Sequence, residues 1–90
     1  MKNISILGAT GSIGISTLDV ISRHPEKYNV FALSARNNWK KMEELCTKYV
    51  PKFVVMADEK AAESLIKVVP DGVMVLQGEA ALNDIASHQN

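Results

Sequence analysis

The sequence predicts an α/β fold in which a parallel sheet is flanked by helices, and three observations carry that expectation. Short β-branched or wholly apolar runs alternate with stretches whose apolar residues recur at helical spacing. Three glycines, Gly8, Gly11 and Gly14, fall at the first junction between such a run and such a stretch. A later run, Phe53 to Met56 (FVVM), lacks polar alternation, the pattern of a strand buried on both faces, as parallel strands are.

Taken in order, Asn3 to Leu7 is β-branched-rich and runs straight into Gly8, which predicts the first strand. Ser12 is then expected to cap a helix from Ile13 to about Arg23, with Ile13, Thr17, Leu18 and Ile21 as its apolar stripe. His24-Pro25 ends that helix, because a residue before proline resists the αR region. Asn29 to Leu33 (NVFAL) is the second strand. The next helix runs from about Asn38 to Tyr49, stopping before Pro51, and Phe53 to Met56 follows as the third strand. Asp58 suits the cap of a third helix, about Glu59 to Val69, with Ala61, Ala62, Leu65 and Ile66 inward. Pro70-Asp71-Gly72 makes a turn into a fourth strand, Val73 to Leu76, and Glu79 to about Ser87 reads as a short fourth helix. No linker, repeat or low-complexity stretch interrupts this alternation, so the residues form part of one domain, with strand order 4-3-2-1 and right-handed crossovers expected.

Bulk properties exclude several classes of partner. Ten basic residues balance ten acidic ones over 90 residues, with no basic run, which argues against nucleic acid. The apolar run before Gly8 is too short for a signal core or a membrane span, which points to a cytosolic protein with no membrane partner. A hydrophobic share of 47% with 22% charged residues is that of a chain that folds. The single Cys46 has no second thiol to pair with, and it lies in step with Trp39, Met42, Leu45 and Tyr49, which predicts a buried small hydrophobe.

The segment Gly8-Ala9-Thr10-Gly11-Ser12-Ile13-Gly14 acquires mechanical meaning from its place between the first strand and the first helix. Gly8 allows the sharp turn out of the strand, Gly11 allows close approach of a diphosphate, and Gly14 allows the helix to pack tightly. Amides near Ser12 and Ile13 then face phosphate along the favourable end of the helix dipole, with Thr10 and Ser12 adding hydroxyl donors. The expected architecture is therefore the N-terminal part of a Rossmann-like dinucleotide-binding domain.

The end of the second strand selects the nucleotide, since an acid there bonds the adenosine ribose of NAD while a base accommodates the extra phosphate of NADP. Leu33-Ser34-Ala35-Arg36-Asn37-Asn38 carries no acid. Arg36 can fork onto a 2′-phosphate, with Ser34, Asn37 and Asn38 as neutral donors, so NADPH is the expected cofactor. His24, His88 and the scattered acids Asp19, Glu43, Glu44, Glu59, Glu63 and Asp84 have the placement of solvated side chains, and no set of them has metal-site spacing.

The run ILGATGSIGISTLDVISRHPEKYNVFAL resembles the opening of 1-deoxy-D-xylulose 5-phosphate reductoisomerases, in which G-(S/A)-T-G-S-I-G is followed by S/T-T-L-D-V-I and a His-Pro or Asn-Pro break. VPKFVVMADEKAAESL and VMVLQGEAAL extend the resemblance over essentially the whole chain. It implies an enzyme that rearranges and reduces 1-deoxy-D-xylulose 5-phosphate, a sugar phosphate, to 2-C-methyl-D-erythritol 4-phosphate in isoprenoid synthesis. NADPH and a divalent metal, Mg or Mn, would serve it in a bacterial cytosol or a plastid, with the catalytic residues and metal ligands outside this chain. Carried over by position, the family's cofactor contacts fall on Thr10, Gly11, Ser12 and Ile13, and on Arg36, Asn37 and Asn38. The loop departs from the family's usual Ala-Gly-Lys-Asn, since Arg36 places the base one position early and a glycine is lost.

Two other readings remain at this stage. Leu33-Ser34-Ala35-Arg36 after such a glycine turn also resembles NADP-dependent aspartate-semialdehyde dehydrogenases, although those continue into a strand where Asn38 to Tyr49 has a helical stripe. A nucleotide-sensing module on the same fold is the non-enzymatic reading. The 90 residues alone are expected to be inactive, and an unpaired first strand at the sheet edge predicts a homo-oligomer.

Overall fold

Within residues 2–78, which the computed structural model describes, each apolar run becomes a strand and each periodic stretch a helix. The elements are β1 (Lys2–Ile6), α1 (Ser12–Ser22), β2 (Tyr28–Ala35), α2 (Trp39–Tyr49), β3 (Phe53–Met56), α3 (Glu59–Ile66) and β4 (Met74–Gln77). The fourth helix expected from Glu79 lies outside the described residues. The strands form one parallel sheet in the order β1-β2-β3-β4, the order the sequence implied.

Because every crossover steps the chain one strand further in the same direction, connections of one hand place the helices on one face. The core has that form: Leu18 and Ile21 of α1, Met42, Leu45 and Cys46 of α2, and Ala61, Ala62 and Leu65 of α3 share a cluster with Ile6, Leu33, Ala35, Val54 and Met56. Ala32 and Val55, out of step with that set, form a second cluster with Phe31, Phe53 and Leu76. Between Ile4 and Ser5 the pairing steps from Val30 to Ala32, so β2 carries an extra residue, Phe31, opposite β1.

Several local expectations are corrected. Ser12 is the first residue of α1 and not its cap; Gly11 holds the cap position, with no side-chain hydrogen bond. Ile13 and Thr17 were expected inward, yet Ile13 is 82% exposed and Thr17 is exposed, and the buried stripe is Gly14, Leu18 and Ile21. The cause is the close approach at Gly14, where a Cβ would stand 2.5 Å from the Gly8 carbonyl oxygen. Only glycine can face the turn so closely, and that contact rotates Ile13 outward. Ile66 is also exposed, because α3 ends there and both Val68 and Val69 donate their amides to the Leu65 carbonyl in a closing turn. β2 extends two residues past Leu33, since Ser34 and Ala35 pair with Val55 and Met56.

The cap expected at Asp58 is present, and α2 is capped by Asn38, expected only as the approximate start of that helix. Asp58 accepts the Ala61 amide at 2.9 Å and Asn38 accepts the Lys41 amide at 3.3 Å.

Candidate nucleotide-binding site

The glycine turn leaves β1 at the C-terminal edge of the sheet, where open α/β folds place ligands. Gly8 adopts a left-handed conformation, φ +66°, that reverses the chain without a Cβ penalty. Its amide donates to Ser34 Oγ at 3.3 Å, and the next amide, of Ala9, donates to the Ser34 carbonyl at 2.8 Å. Gly11 N–H returns to the Gly8 carbonyl at 3.1 Å, closing the turn.

The first bond of α1 runs from the Ile15 amide to the Gly11 carbonyl at 3.0 Å. Among the described residues the amides of Ser12, Ile13 and Gly14 therefore have no hydrogen-bond acceptor, and the glycine cap supplies none. Nor does any acid occupy the first turn. Three donors at the positive end of a helix dipole, those of Ser12 and Ile13 on exposed residues, are an arrangement suited to an anion. A cleft of about 480 Å³ opens beside them, lined by Leu7, Gly8, Gly11, Ser12, Ile13 and Thr17 among others. Thr10 is partly exposed within the turn.

Arg36, Asn37 and Asn38 are exposed and follow β2, the strand beside β1, so the loop and the turn share one edge of the sheet. Backbone bonds hold the loop: the Arg36 carbonyl accepts the Asp58 amide at 2.9 Å, and the Asn37 carbonyl accepts the Trp39 amide at 2.8 Å. Asn38 uses Oδ1 to cap α2, which leaves its side-chain NH2 as a donor. The Arg36 side chain has no ion pair among the described residues, so its fork is available to an external phosphate.

Ser34 is placed differently from the expectation of a loop donor. It lies within β2, only 4% exposed, with its hydroxyl turned to Gly8. The sequence signal was its position in an otherwise apolar strand end, where a buried hydroxyl needs a partner.

Of the residues discounted from sequence, Asp84 and His88 lie outside the described residues. His24 sits at the far end of α1, 3.9 Å from Glu26. Cys46 is buried, and desolvation, with a smaller contribution from Glu43, pushes its thiol up to about 11, the opposite of an activated nucleophile. Among the described residues no group of three His, Cys, Asp or Glu could hold a metal ion, and no helix is long and apolar enough to cross a membrane.

Comparison with known proteins gives the site its context. The family model for 1-deoxy-D-xylulose 5-phosphate reductoisomerase matches residues 4–90. The reductoisomerase of Vesicomyosocius okutanii subsp. Calyptogena okutanii (strain HA) is 52% identical over all of this chain, which covers 24% of that protein. Among solved structures, the reductoisomerase from Zymomonas mobilis in complex with NADPH superposes with a TM-score of 0.88 at 35% identity, over 97% of this chain and 23% of that one. A second reductoisomerase, in complex with magnesium, gives a TM-score of 0.86 at 31% identity, over 98% of this chain and 22% of that one. This chain thus spans about a quarter of the length of its relatives and corresponds to their N-terminal region. With the glycine turn, the parallel sheet and a match from residue 4 to residue 90 in agreement, the chain belongs to the 1-deoxy-D-xylulose 5-phosphate reductoisomerase family.

Proposed function

We propose that the protein carrying this chain rearranges and reduces 1-deoxy-D-xylulose 5-phosphate to 2-C-methyl-D-erythritol 4-phosphate, and that residues 2–78 form the cradle for its NADPH. The open amides of Ser12, Ile13 and Gly14 behind an uncapped helix start carry this reading. In it, Gly8 and Gly14 shape the turn while Thr10, Gly11, Ser12 and Ile13 take the diphosphate. Arg36 forks onto the 2′-phosphate, and Asn37 and Asn38 contribute neutral donors.

NADPH supplies hydride to the carbonyl carbon of the rearranged substrate; this chain's part is to bind and orient the nucleotide. The divalent metal and the substrate phosphate are held by residues outside 2–78. The setting in this reading is the cytosol of a bacterium or a plastid, and the relative from Vesicomyosocius okutanii is bacterial.

The test uses Trp39, the only tryptophan of these 90 residues, which directly follows Asn38 and whose emission overlaps the absorption of reduced nicotinamide, with any tryptophan outside them replaced by phenylalanine. Titration of the full-length protein should quench Trp39 emission with NADPH at far lower concentration than with NADH. Equal affinity for the two, or binding of neither, would overturn the reading.

A further inference from the structure

Ser34 is the one buried polar residue among the described residues, and both of its oxygens serve the glycine turn. Its hydroxyl accepts the Gly8 amide and its carbonyl accepts the Ala9 amide, so two consecutive donors at the exit of β1 end on one residue of β2. The bond to the carbonyl is available to any residue at that position. The bond to the hydroxyl is not, and it falls on Gly8, the residue whose φ of +66° reverses the chain.

From this geometry we infer that Ser34 is a positioning residue for the nucleotide diphosphate: by accepting the Gly8 amide it holds the turn in the conformation that leaves the amides of Ser12, Ile13 and Gly14 open. Without that acceptor, the part-buried Gly8 amide must find another partner, water or protein, and the nearest way to do so is to rotate the Gly8 peptide. Glycine offers little resistance to that rotation, since its allowed region is broad. The Gly8 carbonyl is tied to Gly11 N–H and faces Gly14 across the close approach, so movement of the turn is passed directly to the start of α1. Arg36 lies only two residues beyond Ser34 but is anchored independently, through its carbonyl to Asp58. Ser34 therefore acts on the diphosphate half of the site and not on the 2′-phosphate half.

This inference rests on the NADPH-binding reading, and the experiment separates the two. The ligands are NADPH, which spans both halves, and adenosine 2′-monophosphate, which has no diphosphate. In the full-length protein, Ser34→Ala should weaken NADPH about threefold to tenfold, while adenosine 2′-monophosphate binds as to the wild type. Ser34→Thr and Ser34→Val, matched in shape and differing in the acceptor, provide a second comparison. The threonine variant should bind NADPH more tightly than the valine variant, by a similar factor. Amide exchange at Gly8 should be slow in the wild type and threonine variant and faster in the other two. Equal weakening of both ligands marks a merely structural role and overturns the inference, as does equal NADPH affinity for the threonine and valine variants. A wild type that binds neither ligand defeats the NADPH reading itself, and this inference with it.

Discussion

Arg36 presents a guanidinium free of any ion pair among the described residues, at the end of a strand and in a loop without acids. A charge-assisted fork onto a phosphate contributes about 1.5 to 3 kcal/mol, so Arg36→Ala should cost roughly tenfold to a hundredfold in NADPH affinity. NADH affinity should hardly change; isothermal titration with both nucleotides reads the difference, and equal losses would remove Arg36 from the site. Two glycines of the turn separate packing from binding. At Gly14 a Cβ would meet three backbone atoms at 2.5, 2.7 and 2.9 Å, so Gly14→Ala must displace the helix and should destabilise the fold by about 1 to 3 kcal/mol in denaturant titration. At Gly11 the nearest atom stands 3.4 Å away, so Gly11→Val should keep its far-ultraviolet dichroism; in the proposed cradle its side chain meets the diphosphate, and NADPH binding should be lost. Normal binding by Gly11→Val would move the cradle elsewhere.

At the scale of single elements, α2 ends unusually, with a β-branched residue in the left-handed region. Val50 has φ 44° and ψ 62° and donates its amide to the Cys46 carbonyl, the geometry glycine usually serves. Its side chain is half exposed, so Val50→Gly sacrifices little burial and relieves strain; thermal melting should show a stabilisation of about 1 kcal/mol. Cys46, on the inner face of the same helix, ties stability to pH. Burial first, and Glu43 second, raise its thiol to about 11 from an ordinary 9.0. The folded protein then holds a proton that the unfolded chain releases, so this contribution is complete below about pH 9 and is lost as pH rises towards 11. Cys46→Ala should flatten the alkaline limb of the stability curve, measured by urea titration across that window. These helices also show where sequence reasoning reaches. The cap at Asp58 and the stripe through Met42, Leu45 and Cys46 were legible because spacing and local chemistry decide them. The rotation of α1 was not, because a contact between Gly14 and the Gly8 carbonyl sets it, and apolar spacing alone favours Ile13. Ser34 was expected as a loop donor and lies instead within β2 with its hydroxyl toward Gly8, since a strand's facing depends on its pairing, and the step past Phe31 is invisible in sequence.

Over the whole molecule, order and direction of the strands were readable from the alternation of elements, because crossovers of one hand leave few ways to lay them side by side. Among the described residues β1 is hydrogen-bonded on one side only, beside the exposed Leu7 and Ile13. An open parallel edge next to apolar side chains favours association, and the 90-residue chain should sediment as a dimer or larger species at high concentration. A monomer at such concentrations would show that the edge is already covered. The sheet has a further property: its strands lie side by side in the order in which they are synthesised. Among the described residues each βα unit finds its neighbour already in place when it leaves the ribosome. Loop closure then involves only adjacent units, which keeps its entropic cost low and the search short. The turn after β1 and the loop after β2 both lie within the first half of the chain, and Asp58, which follows β3, anchors that loop, so the proposed nucleotide edge settles once β3 has paired.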